Sequence, residues 1–259
     1  MATQPNPARV AIAILMARRR TRPDPKGTAS LDHADFAGVL VDLKEMGIAS
    51  LPGNRTTLLR YRDRLARVDP DTLTRDEALA YWINLYNAGA LALAADAIEE
   101  NADSVLRVPG AFNDSWVTVG GESLTLTDVE HGKIRRFGDP RIHAALVCGS
   151  VSCPTLRHEP YQGEIVEAQL DDQMRSFLAM GGAAVDRDNG ILRLSRVLLW
   201  YGRDLVAPDR MPTLLPARRR SIGAAVAPWL LPGDASWVLT TKPKVEFAPY
   251  DWGLACSIA

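Results

Sequence analysis

The sequence predicts an α+β protein, a helical N-terminal part packed on a small mixed or antiparallel sheet. Three observations carry this. Residues 75–98 are apolar on every side, which marks a buried helix. The text then changes over residues 105–126 to turn residues and short β-prone pieces. Beyond these, helical and strand-like pieces follow without regular alternation, which argues against a doubly wound sheet. The 259 residues, 47% hydrophobic and 24% charged, suit one or two globular domains at about 100–200 residues each. We expect residues 1–30 to form a flexible or loosely packed segment and residues 31–259 a single α+β domain.

Taken in order, residues 10–17 are apolar but precede Arg18, Arg19 and Arg20, the reverse of the charge order of a secretory signal. Residues 20–30 hold Pro23, Pro25 and Gly27 without apolar period and read as a linker. Phe36, Leu40 and Leu43 share a helical face, and residues 58–65 form a second amphipathic stretch with a basic outer side. Thr74 and Glu77 form a capping box that opens the buried helix. Residues 116–119 and 123–126 flank Gly120-Gly121 and predict a hairpin. Thr127 and Glu130 read as a second capping box, for a helix ending before Gly138. A strand is expected over residues 141–148, a helix over 165–178, a strand over 190–194 and a helix over 197–205. Residues 236–240 and 244–247 would pair as strands.

Thirty basic and 31 acidic residues leave a net charge of -1, so no global field holds a phosphate backbone, and nucleic acid is not an expected partner. No stretch approaches the roughly 20 apolar residues of a membrane span. Three cysteines cannot build a disulfide framework, which points to a cytoplasmic protein or to a thiol kept for chemistry. No phosphate loop, dinucleotide fingerprint or G-x-S-x-G elbow occurs, so no cofactor is expected. The His and Cys spacing, with no C-x-x-C pair, also argues against a metal.

Candidate chemistry begins with Glu130, which shares an apolar helix face with Leu126, Ile134 and Phe137. A carboxylate there must find a partner or shift its pKa; its plain use is to close the capping box. Next, a regular strand from residue 141 places His143 on the face opposite Cys148. Cys153, beyond the Gly149-Ser150 turn, can return toward the imidazole. A thiol beside a histidine that a carboxylate orients is an activated nucleophile, so Cys153, His143 and Glu130 are the expected catalytic set. An inert loop thiol is the alternative. Asn84 and Asn87 lie on one flank of the buried helix, where each either ties loops together or presents donors to a ligand. With Tyr86 and Arg141 they complete the expected substrate-binding set. Glu130 with Arg141 would alternatively be a structural ion pair. His131, to one side of the Glu130 face, reads as a surface or capping histidine.

These blocks together carry a resemblance. Residues 82–88 (Trp-Ile-Asn-Leu-Tyr-Asn-Ala), 129–135 (Val-Glu-His-Gly-Lys-Ile-Arg), 139–156, with His143, Cys148 and Cys153, 200–202 (Trp-Tyr-Gly) and 249–252 (Pro-Tyr-Asp-Trp) resemble, in order, the family called domain of unknown function 547, in its bacterial single-domain type. That resemblance implies no settled activity. The set is also loosely similar to papain-like enzymes acting on γ-glutamyl thiol peptides. There the cysteine precedes the histidine, whereas here His143 precedes Cys153, so the likeness implies a rearranged topology or fails. The expected function is a thiol-dependent acyl-transfer enzyme, hydrolase or transpeptidase, acting on a small peptide or amide or a thiol-containing small molecule. The alternative is a non-catalytic binding module using the same pocket.

Overall fold

The computed structural model describes residues 7–20 and 22–258. The architecture is α+β, as the sequence predicts. Helix α1 (Pro7–Arg18) precedes α2 (Ala34–Met46), α3 (Leu51–Leu65) and the central α4 (Arg75–Glu99). Thr74 caps α4, its hydroxyl accepting from the Glu77 N–H, and residues 77–95 of that helix are all buried. The apolar text all round the predicted helix has this cause, because α4 is surrounded by α2, α3 and the segments that follow it.

The expected hairpin is β1 (Ser115–Val119) against β2 (Glu122–Thr125), antiparallel. Gly120 and Gly121 turn it with φ of 57° and 81°, a pair of positive values that glycine adopts without steric cost. Further on, α7 (Val166–Phe177) leads into a mixed three-stranded sheet in the order β3 (Ala183–Asp186), β4 (Ile191–Leu194), β5 (Lys244–Phe247). Strand β4 pairs antiparallel with β3 and parallel with β5. Helices α8 (Arg196–Trp200), α9 (Gly202–Val206), α10 (Arg219–Val226) and α11 (Pro232–Thr241) lie between β4 and β5. A second apolar cluster forms around this sheet, and Ala144 of the preceding segment belongs to it.

Several expectations need correction. Residues 141–148 are not a strand: α6 (Ile142–Ala145) is a helical turn. Asp139 Oδ1 accepts from the Arg141 N–H, an Asx turn that starts the coil before any strand can form. Residues 236–240 lie in α11 rather than in a strand, because Pro232 at the helix start sets the backbone for a helix that Lys242 closes at φ 51°. The second cap belongs to Thr125 and Asp128, two residues earlier than predicted. Of the segment expected to be loosely packed, residues 1–6 and 21 lie outside the described residues, while α1 buries Ala13, Ile14 and Ala17. Arg9 on α1 reaches Asp128 Oδ2 at 3.1 Å and the carbonyl of Asn113 at 2.9 Å. Among the described residues, no helix is long and apolar enough to cross a membrane.

Candidate functional site

After Thr125 the chain makes α5 (Leu126–Asp128), a π-helical turn over Val129–Lys133 and a 3-10 turn over Ile134–Phe137. A π turn takes more residues per turn than an α-helix, so neighbouring side chains diverge less. Glu130 and His131 therefore both line one cavity of about 100 Å³, together with Tyr86, His143, Cys148, Cys153, Trp200, Tyr201, Tyr250 and Trp252. The sequence expectation that His131 sits at the surface is thus incorrect; it is 6% exposed.

The predicted orienting role of Glu130 is also corrected. His143 Nε2 lies 3.0 Å from Asp204 Oδ2, and Asp204 also accepts from Arg135 Nε at 2.9 Å. Arg135 further donates to the carbonyl of Thr213 at 3.0 Å. Its Nη1 approaches His131 Nδ1 at 3.2 Å. Since a guanidinium only donates, His131 Nδ1 must accept, and it cannot also donate to Glu130 Oε1 at 3.5 Å. Glu130 instead accepts from Tyr201 Oη at 2.5 Å and from Tyr86 Oη at 3.3 Å.

Protonation states follow from these contacts. Burial opposes ionisation of Asp204, but His143 and the Arg135 guanidinium outweigh it and hold the carboxyl below its ordinary value. Glu130 is likewise held down against its burial by His131, the Tyr201 hydroxyl, His143 and Arg135. Burial lowers His131 to about 4 and lowers His143 as well. A neutral His143 facing an ionised Asp204 carries its proton on Nε2, which leaves the Nδ1 lone pair as the basic atom. The His143 ring stacks on Tyr201, centroids 3.8 Å apart, which fixes its plane.

Opposite this pair sit the thiols. Gly149 turns the chain at φ 73°, where an added Cβ would meet Val105 Cγ1 at 2.9 Å, so Cys148 and Cys153 fold toward one another. Their sulfurs are 2.8 Å apart, and the Cys148 N–H donates to Cys153 Sγ at 2.8 Å. Cys148 Sγ also meets Ser150 Oγ at 3.0 Å and Tyr250 Oη at 3.1 Å. The contact with Cys153, then the two hydroxyls, bring Cys148 below the ordinary thiol value against its burial. Burial and the neighbouring sulfur push Cys153 up. The more acidic thiol is therefore Cys148, whereas sequence spacing singled out Cys153. Cys153 would be the better placed thiol only if residues 141–148 extended as a strand, and α6 coils them instead.

The remaining expected site residues divide. Tyr86 lines the cavity. Asn84 is spent on the backbone of Tyr161, donating to its carbonyl at 2.8 Å and accepting from its N–H at 2.9 Å. Asn87 spans the Ala145 carbonyl at 3.0 Å and the Val147 N–H at 3.1 Å. Both amides are thus structural ties rather than ligand donors, although Asn87 fixes the segment leading into Cys148. Arg141 does not line the cavity and is not paired with Glu130. It pairs with Asp139 at 2.6 Å and Glu167 at 2.5 Å. Among the described residues no hydrogen bond joins His143 to either sulfur, and no three His, Cys, Asp or Glu side chains are arranged to hold a metal ion.

Sequence reasoning missed Asp204, Arg135, Tyr201 and Tyr250. A signal for Asp204 was present: it stands seven residues after Val197 and three after Tyr201, a carboxylate on an apolar helical face, the same criterion that found Glu130.

The fold and cavity define an α+β protein with a carboxylate-anchored histidine and a pair of thiols in one pocket. Residues 70–178 match the family described as "Protein of unknown function, DUF547", which supports a DUF547 family domain over that part of the chain. No curated protein and no solved structure matches the chain. Glu130, His131, His143, Cys148 and Cys153 fall inside the matched segment, while Tyr201, Tyr250 and Trp252 complete the cavity from beyond it and Asp204, also beyond it, holds His143 from behind the lining.

Proposed function

We propose that this pocket performs thiol-dependent acyl transfer on a small peptide or amide, with Cys148 as nucleophile and His143 as base. The observation that carries the reading is a His143 held at Nε2 by the buried Asp204 and lining the same cavity as a thiol stabilised by Cys153, Ser150 and Tyr250. Asp204 holds the imidazole with Nδ1 unprotonated, which is the state a general base needs. The Cys148 proton passes to Nδ1 and the sulfur bonds to the acyl carbon; the amine then leaves, taking that proton from His143. Water, or a second amine, gives its proton to Nδ1 and its oxygen or nitrogen to the acyl carbon. The carbon–sulfur bond breaks and the thiolate returns. Cys153 keeps its proton and donates to the Cys148 sulfur between turnovers.

The test uses p-nitrophenyl acetate as probe. A stoichiometric release of nitrophenol with an acetyl group on Cys148, found by peptide mass mapping and lost in Cys148→Ser, supports the reading. No acyl adduct on either pocket thiol overturns it.

The sulfur separation of 2.8 Å favours a second reading, a dithiol that cycles to a disulfide. Two thiols would yield one sulfur–sulfur bond, two protons and two electrons, the latter taken by a peroxide that leaves as water. Intact mass after peroxide treatment decides it: loss of two hydrogens without added oxygen supports the cycle, and an unchanged mass or an oxygenated thiol alone excludes it.

A further inference from the structure

The buried polar cluster carries more negative than positive charge. Glu130 and Asp204 are carboxylates, Arg135 is the cation, and His131 and His143 are neutral imidazoles bound through single nitrogens to Arg135 and Asp204. Arg135 lies on Asp204 at 2.8 Å, so the unmatched charge belongs to Glu130. The groups in contact with Glu130 are Tyr86 on α4, Tyr201 between α8 and α9, and His131 beside it, and none carries a full positive charge; His143 and the Arg135 guanidinium act on it only from farther off, both being bound to Asp204. The Glu130 side chain is 13% exposed, and what it faces is the cavity. A carboxylate withdrawn from water without a counter-charge is costly, and two phenol hydroxyls leave further acceptor capacity on both oxygens.

The mouth adds to this. Trp200, Tyr250 and Trp252 form a contiguous aromatic group, with centroids 4.8 Å apart for Trp200–Tyr250 and 4.5 Å for Tyr250–Trp252. Trp200 is 48% exposed, so its ring is available to a ligand. Aromatic faces attract cations.

We propose that Glu130 is the specificity-determining residue of this pocket and that the acyl substrate carries a free ammonium group, as an aminoacyl amide or a small peptide with an unblocked amine does. The ammonium passes the aromatic rings and pairs with Glu130, which places the adjacent carbonyl by the thiols. This rests on the acyl-transfer reading for the reaction, though not for the binding.

Two measurements test it on the full chain. The first compares labelling of the pocket thiols by 2-aminoethyl, methyl and 2-sulfonatoethyl methanethiosulfonate, which are cationic, neutral and anionic. In each the sulfur forms a disulfide and methanesulfinate leaves. The cation-to-anion rate ratio should exceed that of a cysteine peptide by about ten-fold or more, as expected from one charge a few ångströms away at an effective dielectric of about 20. Glu130→Gln should return the ratio to the peptide value. Ready labelling by the neutral reagent with a peptide-like ratio overturns the inference and leaves the thiol reading standing. The second titrates tryptophan emission of the unaltered protein with alanine amide and with N-acetylalanine amide, and does not depend on thiol reactivity. A saturable change with the free amine alone supports the inference. Equal response to both, or response to neither, overturns it.

Discussion

Asp204→Asn separates the role of the carboxylate from its shape. Asp204 is 1% exposed and Arg135 2% exposed, so their pairing belongs to the buried class, where losing one partner costs about 3–5 kcal/mol. Asparagine keeps the shape and one acceptor oxygen, which places the loss near the lower end, about 3 kcal/mol. At about 2–4 °C per kcal/mol for a chain near this size, the melting temperature should fall by about 6–12 °C. Total stability of about 5–15 kcal/mol leaves the variant folded at 25 °C. With no charge to hold the Nε2 proton, His143 can also adopt the Nδ1–H tautomer, which has no lone pair for a thiol proton. The iodoacetamide labelling rate of Cys148 at neutral pH should then fall. Circular dichroism melts and site-resolved mass spectrometry read the two effects. Glu167→Gln serves as control, because Glu167 is 61% exposed in its pair with Arg141 and such surface pairs contribute about 0–1 kcal/mol. An Asp204→Asn melt matching the wild type, or unchanged labelling, would refute the reasoning.

Other predictions follow the same contacts. His131 is neutral when folded and titrates at about 4, against about 6.5 unfolded, so its contribution is present above about pH 6.5 and lost as pH falls toward 4. Denaturant unfolding should show a loss of about 3 kcal/mol over that window, with a shallower slope in His131→Gln. Asp204 and Glu130, both held below their ordinary values, should add a further loss at more acid pH, as their carboxylates protonate in the folded state. Asn87→Ala leaves the Ala145 carbonyl and Val147 N–H without their partner, at about 1–3 kcal/mol each, and should alter Cys148 labelling as well as stability. Asn84→Ala should cost as much stability but spare the labelling rate, since its partner is Tyr161, away from the thiols. Equal effects of the two variants on labelling would contradict these assignments.

How much of this was legible follows from which forces are local. The long buried helix, the hairpin and the 191–194 strand were readable because periodicity and turn residues act over a few positions. That Glu130, His143 and Cys153 share one cavity follows the expectation drawn from a carboxylate on an apolar face and from the return of the chain at Gly149, whereas Cys148, expected on the opposite face, lines it too. The partner of His143 was not, since Asp204 lies 61 residues away and reaches it only through tertiary packing. The choice between Cys148 and Cys153 depended on whether residues 142–145 coil or extend, and a single Asx turn at Asp139 decides that against the β-prone text. The facing of His131 turned on a π turn, which helical periodicity does not anticipate.

The most direct test of the central claim is the pH dependence of iodoacetamide labelling at each cysteine of the unaltered protein. The account predicts that Cys148 labels with a midpoint below the ordinary thiol value of about 8.5, with Cys153 following only at higher pH. Cys153 labelling first, or Cys148 showing an ordinary or raised midpoint, would contradict it.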